Sequence, residues 1–280
     1  MKKNNQSKVN VDQIRAWNDY DATHWVDQEI HFNLSIHHHY IHLLNVLHIK
    51  PNNTILDIGC GTGETTLDAA RLSVSGEVLG LDVSREMLKR AREHAKNQKL
   101  NNVTFIEGDA QVYPFPKNHF DIVMSRNGVM FFDDPIAALK NFYQTLKPGG
   151  RLLLLVWSGA EKNEWIQIVF EALSLAVALL PPEDPFRFAD KRKVRAMLDE
   201  VGFIDSSFTA IDEPFIFGMN VNDAYGLARL DWVESRLAGI SKTKREEVLK
   251  ALKKAMKDHE TSDGVIFSSG MWLIEAYKPK

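Results

Sequence analysis

The stretch ILDIGCGTGETT, residues 55–66, decides the fold of this chain. An apolar run that carries one carboxylate, Asp57, leads into glycines at alternate positions, Gly59, Gly61 and Gly63, and a helix-compatible run follows. This pattern predicts a buried strand, a tight turn and the start of a helix. Glycines permit positive φ and let a ligand approach the backbone, and free N–H groups at a helix start favour a polar or anionic ligand.

The glycine spacing argues against a dinucleotide-binding loop. A G-x-G-x-x-G fingerprint that begins at Gly59 requires glycine where the chain has Glu64. One that begins at Gly61 requires glycine where the chain has Thr66. The fingerprint fails in both registers, so an NAD(P)-dependent oxidoreductase is the less favoured alternative.

Strand and helix patterns alternate along residues 49–157, which is typical of a parallel sheet with crossover helices. The predicted strands of this part are residues 54–58, 77–81, 103–106, 120–124 and 151–156. The second is followed by Asp82, and an acidic residue there is placed to accept the ribose hydroxyls of an adenosine. Residues 203–217 and 265–277 are predicted as antiparallel neighbours at one sheet edge.

Two further motifs follow in order, G-D-A at residues 108–110 and L-K-P-G-G at 146–150. Together with D-x-G-C-G-T-G at 57–63, they resemble the class I S-adenosylmethionine-dependent methyltransferases of the type 11 kind. The resemblance implies an α/β fold with a doubly wound, seven-stranded, mostly parallel Rossmann-like sheet. It implies S-adenosylmethionine as cofactor and S-adenosylhomocysteine as product. The residues that we expect to bind the cofactor are Asp57, Gly59, Cys60, Gly61, Thr62, Gly63, Thr65, Asp82, Val83, Met87, Gly108, Asp109, Ala110, Arg126 and Asn127.

A weaker resemblance extends beyond the core, through K-N-E-W at residues 162–165 and P-F-R-F-A-D at 185–190. It points to a bacterial subgroup related to ubiquinone/menaquinone-type methyltransferases, which does not share one substrate and includes peptide-tailoring members. The segments we predict are an N-terminal helical lid segment 1–48, a cofactor-binding core 49–157, lid helices and a connection 158–202, and two final strands 203–280 with a helical insertion 222–260. These helices are predicted to form a lid over the carboxyl edge of the sheet.

Composition and charge argue against several classes of protein. The net charge of −3 does not favour nucleic acid, and residues 125–135 contain no Asn/Asp-Pro-Pro-aromatic tetrapeptide of amino-methylating DNA enzymes. The apolar run 166–180 is too short to span a bilayer and no secretory signal is evident, so a cytoplasmic protein without stable membrane insertion is expected. His38 and His42 have i, i+4 spacing, but no acidic residue or cysteine joins them, and no metal site is predicted.

Several local expectations concern helices. Residues 11–48, 162–180 and 190–201 have helical patterns, the last ending at Gly202. In the N-terminal pattern the expected buried positions are Ile14, Trp17, Leu34, Tyr40, Leu44 and Leu47. The insertion is predicted as two helices, the second beginning with a Thr243…Glu246 capping box. Its expected buried positions are Val248, Leu252 and Met256.

Methyl transfer from a sulfonium is an in-line displacement, so alignment supplies much of the catalysis and no obvious base is required. His24, His31 and Asp133 are candidate bases, and Cys60 is expected to be a loop residue rather than a nucleophile. The acceptor-pocket candidates are Trp25, Tyr113, Arg126, Met130, Trp157 and Trp165. We predict a methyltransferase for a small-molecule or peptide acceptor, with a preference for lipophilic or aromatic ones. A non-catalytic S-adenosylmethionine-binding protein is an alternative, and the acceptor atom and oligomeric state stay open.

Overall fold

The computed structural model describes residues 10–19, 25–177, 184–228 and 231–280 as an α/β fold. Its strands form one sheet in the order β3-β2-β1-β4-β5-β8-β6, with β7 paired to β8. The strands are β1 (Thr54–Ile58), β2 (Glu77–Asp82), β3 (Val103–Glu107), β4 (Phe120–Arg126), β5 (Leu146–Trp157), β6 (Ile204–Gly218), β7 (Glu260–Thr261) and β8 (Gly264–Tyr277). The order reverses between β1 and β4, the kind of switch point at which ligands of open α/β sheets bind.

The predicted mostly parallel arrangement is confirmed. Strands β1 to β5 pair in parallel, and β8 is antiparallel to both β5 and β6. The described sheet has eight strands rather than seven, because the two-residue β7 pairs with the start of β8. Strand β5 begins at Leu146 rather than at residue 151, since Leu146 already pairs with Phe120 before a register shift.

Helices connect these strands, and several begin with a side-chain cap. The described α-helices are α1 (Val11–Asp19), α2 (Glu29–Ser35), α3 (His37–Leu47), α4 (Glu64–Leu72), α5 (Arg85–Asn97), α6 (Pro135–Thr145), α7 (Glu164–Ser174), α8 (Lys191–Val201), α9 (Val221–Ala228), α10 (Asp231–Arg236) and α11 (Lys242–Asp258). Ser84 accepts the N–H of Met87 at the start of α5, and Asp190 accepts the N–H of Arg192 at the start of α8. Gly202 ends α8 with φ of 104°, as its predicted C-terminal position requires.

The helical insertion differs from its prediction in two respects. The described part contains three helices, α9, α10 and α11, rather than two. The cap of α11 is Ser241, whose hydroxyl accepts the N–H of Lys244, so the predicted Thr243…Glu246 capping box is wrong. Serine is the better cap here because it stands in extended backbone directly before the helix. The predicted apolar stripe of this helix is fully buried: Val248, Leu252 and Met256.

The N-terminal helices bury only part of the predicted set: Ile14, Trp17 and Leu44 are half-buried, and Leu34 is exposed. Leu34 is 44% exposed, and its neighbour Ser35 is buried, with its hydroxyl bonded to the carbonyl of His31. Tyr40 and Leu47 are buried as predicted. The chain turns between α2 and α3, which breaks the single helical period on which the Leu34 prediction depended.

Two further observations concern metals and membranes. His42 lies 2.7 Å from Glu213 Oε1, while its i−4 neighbour His38 is exposed. Within the described ranges, no three side chains of the types His, Cys, Asp and Glu are grouped to hold a metal ion. Among the same residues, no helix has the length and apolar character needed to cross a membrane.

Candidate functional site

A cavity of about 430 Å³ lies at the carboxyl ends of β1, β2 and β4. This volume is within the range of about 300–1,000 Å³ that is typical of small-molecule and cofactor sites. One side, which we call the glycine-loop half, is lined by Asp57, Ile58, Gly59, Cys60, Gly61, Thr62, Thr65, Leu81, Asp82, Val83, Met87, Gly108, Ala110, Asn127 and Gly128. The opposite side, the aromatic half, is lined by Trp17, Trp25, Phe32, Ile36, Met130, Phe131, Phe132, Trp157, Trp165, Val169, Phe215, Phe217 and Leu227.

The glycine loop requires glycine where two backbones approach each other. Gly59 has φ of 66°, and a Cβ at this position would lie 2.7 Å from Cα of Gly128. The N–H groups of Gly59 and Cys60 donate to the carbonyl of Leu81 at 2.8 and 3.1 Å. Gly63 has φ of 93° and immediately precedes α4. The loop is therefore held between the ends of β2 and β4, with its backbone toward the cavity.

Asp57 lies inside β1 and is almost fully buried. Its Oδ2 accepts a hydrogen bond from the Thr66 hydroxyl at 2.6 Å, and its Oδ1 has no partner. Burial raises the pKa of this carboxyl to about 7. Thr66 belongs to α4, so Asp57 connects β1 to this helix across the loop.

Asp82 ends β2 and joins it to the glycine loop. Its Oδ2 accepts the N–H of Gly61 at 2.8 Å, and its Oδ1 accepts the N–H of Ser84 at 2.8 Å. Burial raises the pKa of Asp82. A carboxylate accepts more than one hydrogen bond per oxygen, so these two bonds leave acceptor capacity for a ligand.

The end of β3 brings only part of its predicted set to the cavity. Gly108 and Ala110 line it, while Asp109 accepts the N–H of Gln111 at 3.0 Å and does not line it. Tyr113 is also absent from the lining: a Cβ on Gly108 would meet its ring at 2.6 Å, and the ring packs against Phe115. Tyr113 therefore lies outside the lining of this cavity, and its place in the acceptor pocket stays a prediction.

The end of β4 supplies Arg126, which lies between the two halves. Its guanidinium pairs with Glu64 on α4, donates to Asn33 Oδ1 on α2 at 3.1 Å and lies 4.8 Å from the ring centroid of Tyr40. Asn127 follows with φ of 57°, and its buried side-chain oxygen has no hydrogen-bond partner. Arg126 therefore connects the helix that follows the glycine loop to the N-terminal helices.

Two groups of rings form the aromatic half. In the first, Trp17 lies 5.7 Å from Trp25, and Trp25 stacks on Phe32 at 3.7 Å between ring centroids. In the second, Trp165 lies 5.4 Å from Trp157 and 5.5 Å from Phe215. Among the described helices outside residues 49–157, α1, α2, α7 and α9 contribute lining residues, whereas none of the described residues of α11 line the cavity. The closing motion of a lid remains a prediction.

Neither His31 nor Asp133 lines the cavity, although each contacts a residue that does. His31 contacts the carbonyl of Phe217 at 3.1 Å and the carboxylate of Asp223 at 3.4 Å. Asp133 accepts the N–H of Asn10 at 2.7 Å. His24 lies outside the described residues. Cys60 is buried, and this burial raises the pKa of its thiol well above the ordinary value, so the reactive thiolate is disfavoured.

Several residues that line or support the site had no place in the prediction. Thr66 supports Asp57 from outside the loop, and Phe32 and Phe131 enter from segments with no motif. Phe215 and Phe217 occupy alternate positions of β6, so they face the same side of the sheet. This alternation is visible in the sequence and predicts that the two rings lie on one face of the strand.

Solved structures share this fold. The YcgJ protein from Bacillus subtilis superposes with a TM-score of 0.59 at 19% identity, over 87% of this chain and 99% of that chain. Phosphoethanolamine N-methyltransferase 2 from Haemonchus contortus, in complex with S-adenosyl-L-methionine, superposes with a TM-score of 0.54 at 22% identity. That superposition covers 86% of this chain and 53% of the other. At these identities the similarity establishes the fold alone.

Sequence comparisons establish the family. A family model described as a methyltransferase domain matches residues 55–150. The ubiquinone/menaquinone biosynthesis C-methyltransferase UbiE of Marinomonas sp. strain MWYL1 is 34% identical over 185 residues, which is 60% of this chain and 72% of that protein. The protein of the same name from Azotobacter vinelandii is 34% identical over 171 residues, which is 55% of this chain and 67% of that protein. The chain therefore belongs to the class I S-adenosylmethionine-dependent methyltransferases, and it is an enzyme of that class.

The cavity fits the cofactor of this class. The glycine loop presents backbone without side chains, and an acidic strand end, Asp82, stands beside it. The buried oxygen of Asn127 lacks a partner, as expected of a group that a polar ligand would satisfy. The cofactor is S-adenosylmethionine, and the nicotinamide alternative receives no support from the comparisons.

Proposed function

We propose that this methyltransferase acts on a neutral, lipophilic small molecule that contains an aromatic or quinol-type ring. The observation that carries the proposal is the aromatic half of the cavity, where tryptophan and phenylalanine rings from separate segments surround one volume. Such rings bind apolar and planar ligands through area burial and ring stacking. A flexible, highly charged acceptor would lose its hydration there without gaining ion pairs.

The charges near the aromatic half support this choice. Among the described lining residues outside the glycine-loop half, the charged side chains are Glu29 and Arg126. Glu29 lies 3.7 Å from the Arg90 guanidinium and 3.1 Å from His94, and Arg126 pairs with Glu64. Because both charges are already paired within the protein, they offer little recognition to a charged acceptor.

The cofactor in this proposal occupies the glycine-loop half. Asp82 would accept the ribose hydroxyls, Gly108 and Ala110 would border the adenine, and the glycine loop would hold the methionine end. Bound there, S-adenosylmethionine supplies an electrophilic methyl group at its sulfonium. The chain's part is to align the acceptor with that methyl group and to exclude water.

A ring carbon is the acceptor atom that we favour. The relatives reported above are named C-methyltransferases, and a quinol or phenol ring is nucleophilic at carbon without a protein base. This suits a cavity whose described lining contains no histidine. The ring electrons form the new carbon–carbon bond, the sulfur keeps the pair of the broken bond, and the ring proton leaves to water.

An acceptor panel tests the proposal. Formation of S-adenosylhomocysteine is measured with a prenylated naphthoquinol, a simple phenol, phosphoethanolamine and a short peptide, and the product is located by NMR. We expect turnover with the lipophilic ring compounds. Faster turnover with phosphoethanolamine or with the peptide would refute the proposed acceptor class.

Two tryptophan variants assign the effect to the aromatic half. We expect Trp157→Leu to lower kcat/KM for the ring acceptor about tenfold or more while S-adenosylhomocysteine binding is unchanged. Trp272→Leu is the matched control, since the Trp272 indole donates to the carbonyl of Ala189 and does not line the cavity. Equal losses in both variants would point to general destabilisation.

A further inference from the structure

Helix α1 is fixed to the end of β2 by one side chain, Asn18. Its Nδ2 donates to the carbonyl oxygens of Ile14 and Val83, each at 2.8 Å. Its Oδ1 accepts the N–H of Arg85 at 3.1 Å. Arg85 is the first residue of α5, so Asn18 also satisfies a helix-start N–H that has no partner within its own helix. The side-chain amide thus uses both its donor and its acceptor groups at this junction.

The other end of α1 is held by the loop that follows β4. The N–H of Asn10 donates to Oδ2 of Asp133 at 2.7 Å. The N–H of the next residue, Asp134, donates to Oε1 of Gln111 at 2.6 Å, and the N–H of Gln111 donates to Oδ1 of Asp109. Helix α1 therefore extends between the loops after β2 and β4, two of the strand ends on which the cavity is built.

The same helix supplies part of the aromatic half. Trp17, directly before Asn18 in the chain, lines the cavity, with its ring 5.3 Å from the ring of Phe131. Val83, whose carbonyl Asn18 binds, lines the glycine-loop half. Adjacent residues of one helix therefore contact both halves of the cavity.

We propose that Asn18 is a positioning residue that couples cofactor occupancy to assembly of the acceptor wall. A cofactor that contacts Asp82 and Val83 stabilises the loop on which α1 docks, and docked α1 places Trp17 in the aromatic half. Because linkage is reciprocal, docked α1 in turn raises the affinity of the site for the cofactor. We expect this gain in affinity to appear mainly as slower dissociation of the ligand. The acceptor part rests on the proposed function, whereas the cofactor part requires only cofactor binding.

The test uses S-adenosylhomocysteine with the full chain and three sequences: wild type, Asn18→Ala and Asn45→Ala. Asn45 is an exposed asparagine of α3 outside the cavity lining, so it is a matched control for losing a helical amide. Amide hydrogen exchange of residues 10–19 is followed with and without the ligand. Dissociation of S-adenosylhomocysteine is followed by stopped-flow displacement with excess S-adenosylmethionine.

We expect the ligand to slow exchange of residues 10–19 in wild type and in Asn45→Ala. In Asn18→Ala this protection is lost, and the ligand dissociates about tenfold faster because two hydrogen bonds to the β2 loop are missing. Asn18→Asp keeps the acceptor for the Arg85 N–H but loses the donor to Val83. We expect its dissociation rate to lie between those of wild type and Asn18→Ala, and it replaces the alanine variant if that variant does not fold.

Two results would overturn the coupling. One is dissociation from Asn18→Ala, or from Asn18→Asp in its place, at the wild-type rate. The other is exchange of residues 10–19 in wild type that does not respond to the ligand. A purely structural role would lower the melting temperature of the variant and leave the dissociation rate unchanged. No acceptor is present in these measurements, so failure of the proposed acceptor class does not affect them.

Discussion

The two halves of the cavity are built in different ways. The glycine-loop half is built around residues 57–65 and completed by residues at the ends of β2, β3 and β4, and its shape depends on backbone conformation: Gly59 adopts positive φ and approaches Gly128. The aromatic half is assembled from α1, α2, α7, β6 and the segment after β4, and its shape depends on which side chains meet. A site that uses backbone is specified locally, whereas a site that uses side chains depends on the packing of distant segments.

This difference has a functional meaning in a methyltransferase. The cofactor is the same for every member of the class, so its half of the cavity can be specified by short motifs at successive strand ends. The acceptor half can change its side chains without disturbing the glycine loop. In this chain two features connect the halves. The Arg126 side chain contacts both α4 and α2, and α1 extends from the loop after β2 to the loop after β4.

The largest effect is expected for Gly59→Ala, which acts on the glycine-loop half alone. A methyl group there would lie 2.7 Å from the backbone of Gly128 in a left-handed conformation, so the loop must move. Steric strain of about 1–3 kcal/mol in addition to the clash predicts at least about a hundredfold weaker S-adenosylhomocysteine binding by calorimetry. Gly239→Ala is the control: Gly239 has φ of 79°, but no atom lies within 4 Å of an added Cβ. Unchanged affinity in Gly59→Ala would contradict the prediction.

The next effect is expected for Asp82→Asn. An amide cannot accept the N–H groups of both Gly61 and Ser84 on its two sides, and it binds ribose hydroxyls less strongly than a carboxylate. We predict binding of S-adenosylhomocysteine weaker by about 1–3 kcal/mol. Asp121→Asn is the control, since Asp121 also accepts a backbone N–H, from Thr54, near the opposite ends of the strands. If both variants weaken binding equally, the effect is one of stability.

A smaller effect that spreads over both halves is expected for Arg126→Lys. The guanidinium contacts Glu64 and Asn33 together, and a lysine ammonium is a point charge that does not reproduce this fork. We predict a loss of about 1 kcal/mol in cofactor binding and faster amide exchange in α2. In Arg151→Lys, which removes contacts to the carbonyls of Val46 and Leu47, cofactor binding should stay unchanged. If α2 exchanges at its wild-type rate in Arg126→Lys, the connection does not run through this residue.

The smallest effects near neutral pH concern two buried ionisable groups. Burial raises the pKa of Asp57 in the glycine-loop half to about 7, and burial lowers the pKa of His39, which packs on Trp157, to about 4. Between about pH 4 and 7, Asp57 is protonated more in the folded state than in the unfolded state. The contribution of Asp57 to stability is therefore lost as pH rises. Between about pH 4 and 6.5, His39 is protonated more in the unfolded state than in the folded state. The contribution of His39 to stability is therefore lost as pH falls.

Single variants separate these opposing slopes. Asp57→Asn leaves the His39 dependence, so its free energy of unfolding should fall on acidification from pH 6.5 to 4.5. His39→Gln leaves the Asp57 dependence and should gain stability over the same change. Each slope is at most about 1.4 kcal/mol per pH unit, measured by urea unfolding. Parallel pH profiles of the two variants would contradict this assignment.

The mostly parallel sheet and the glycine loop were predictable because their signals are local. Alternation of apolar strands with helices predicts a parallel sheet, and closely spaced glycines after a strand predict a turn that approaches a ligand. The same local reasoning failed where more than one residue or backbone conformation fitted the sequence pattern. Thr243 and Ser241 are both plausible caps, and the structure uses Ser241; Leu34 fits the helical period, yet the chain turns before α3 and leaves it exposed.

The sequence by itself determined the sheet, the glycine loop and the class of cofactor, because each depends on residues close together in the chain. Only the tertiary structure decided that Tyr113 packs beneath Gly108, that Phe215 and Phe217 join Trp165 around the cavity, and how α1 is anchored. These contacts join segments far apart in the chain, and no local pattern of residues encodes which distant surface each segment will meet. The sequence named Trp25, Met130, Trp157 and Trp165 as candidates, but the full set of rings in the aromatic half was visible only in the folded structure.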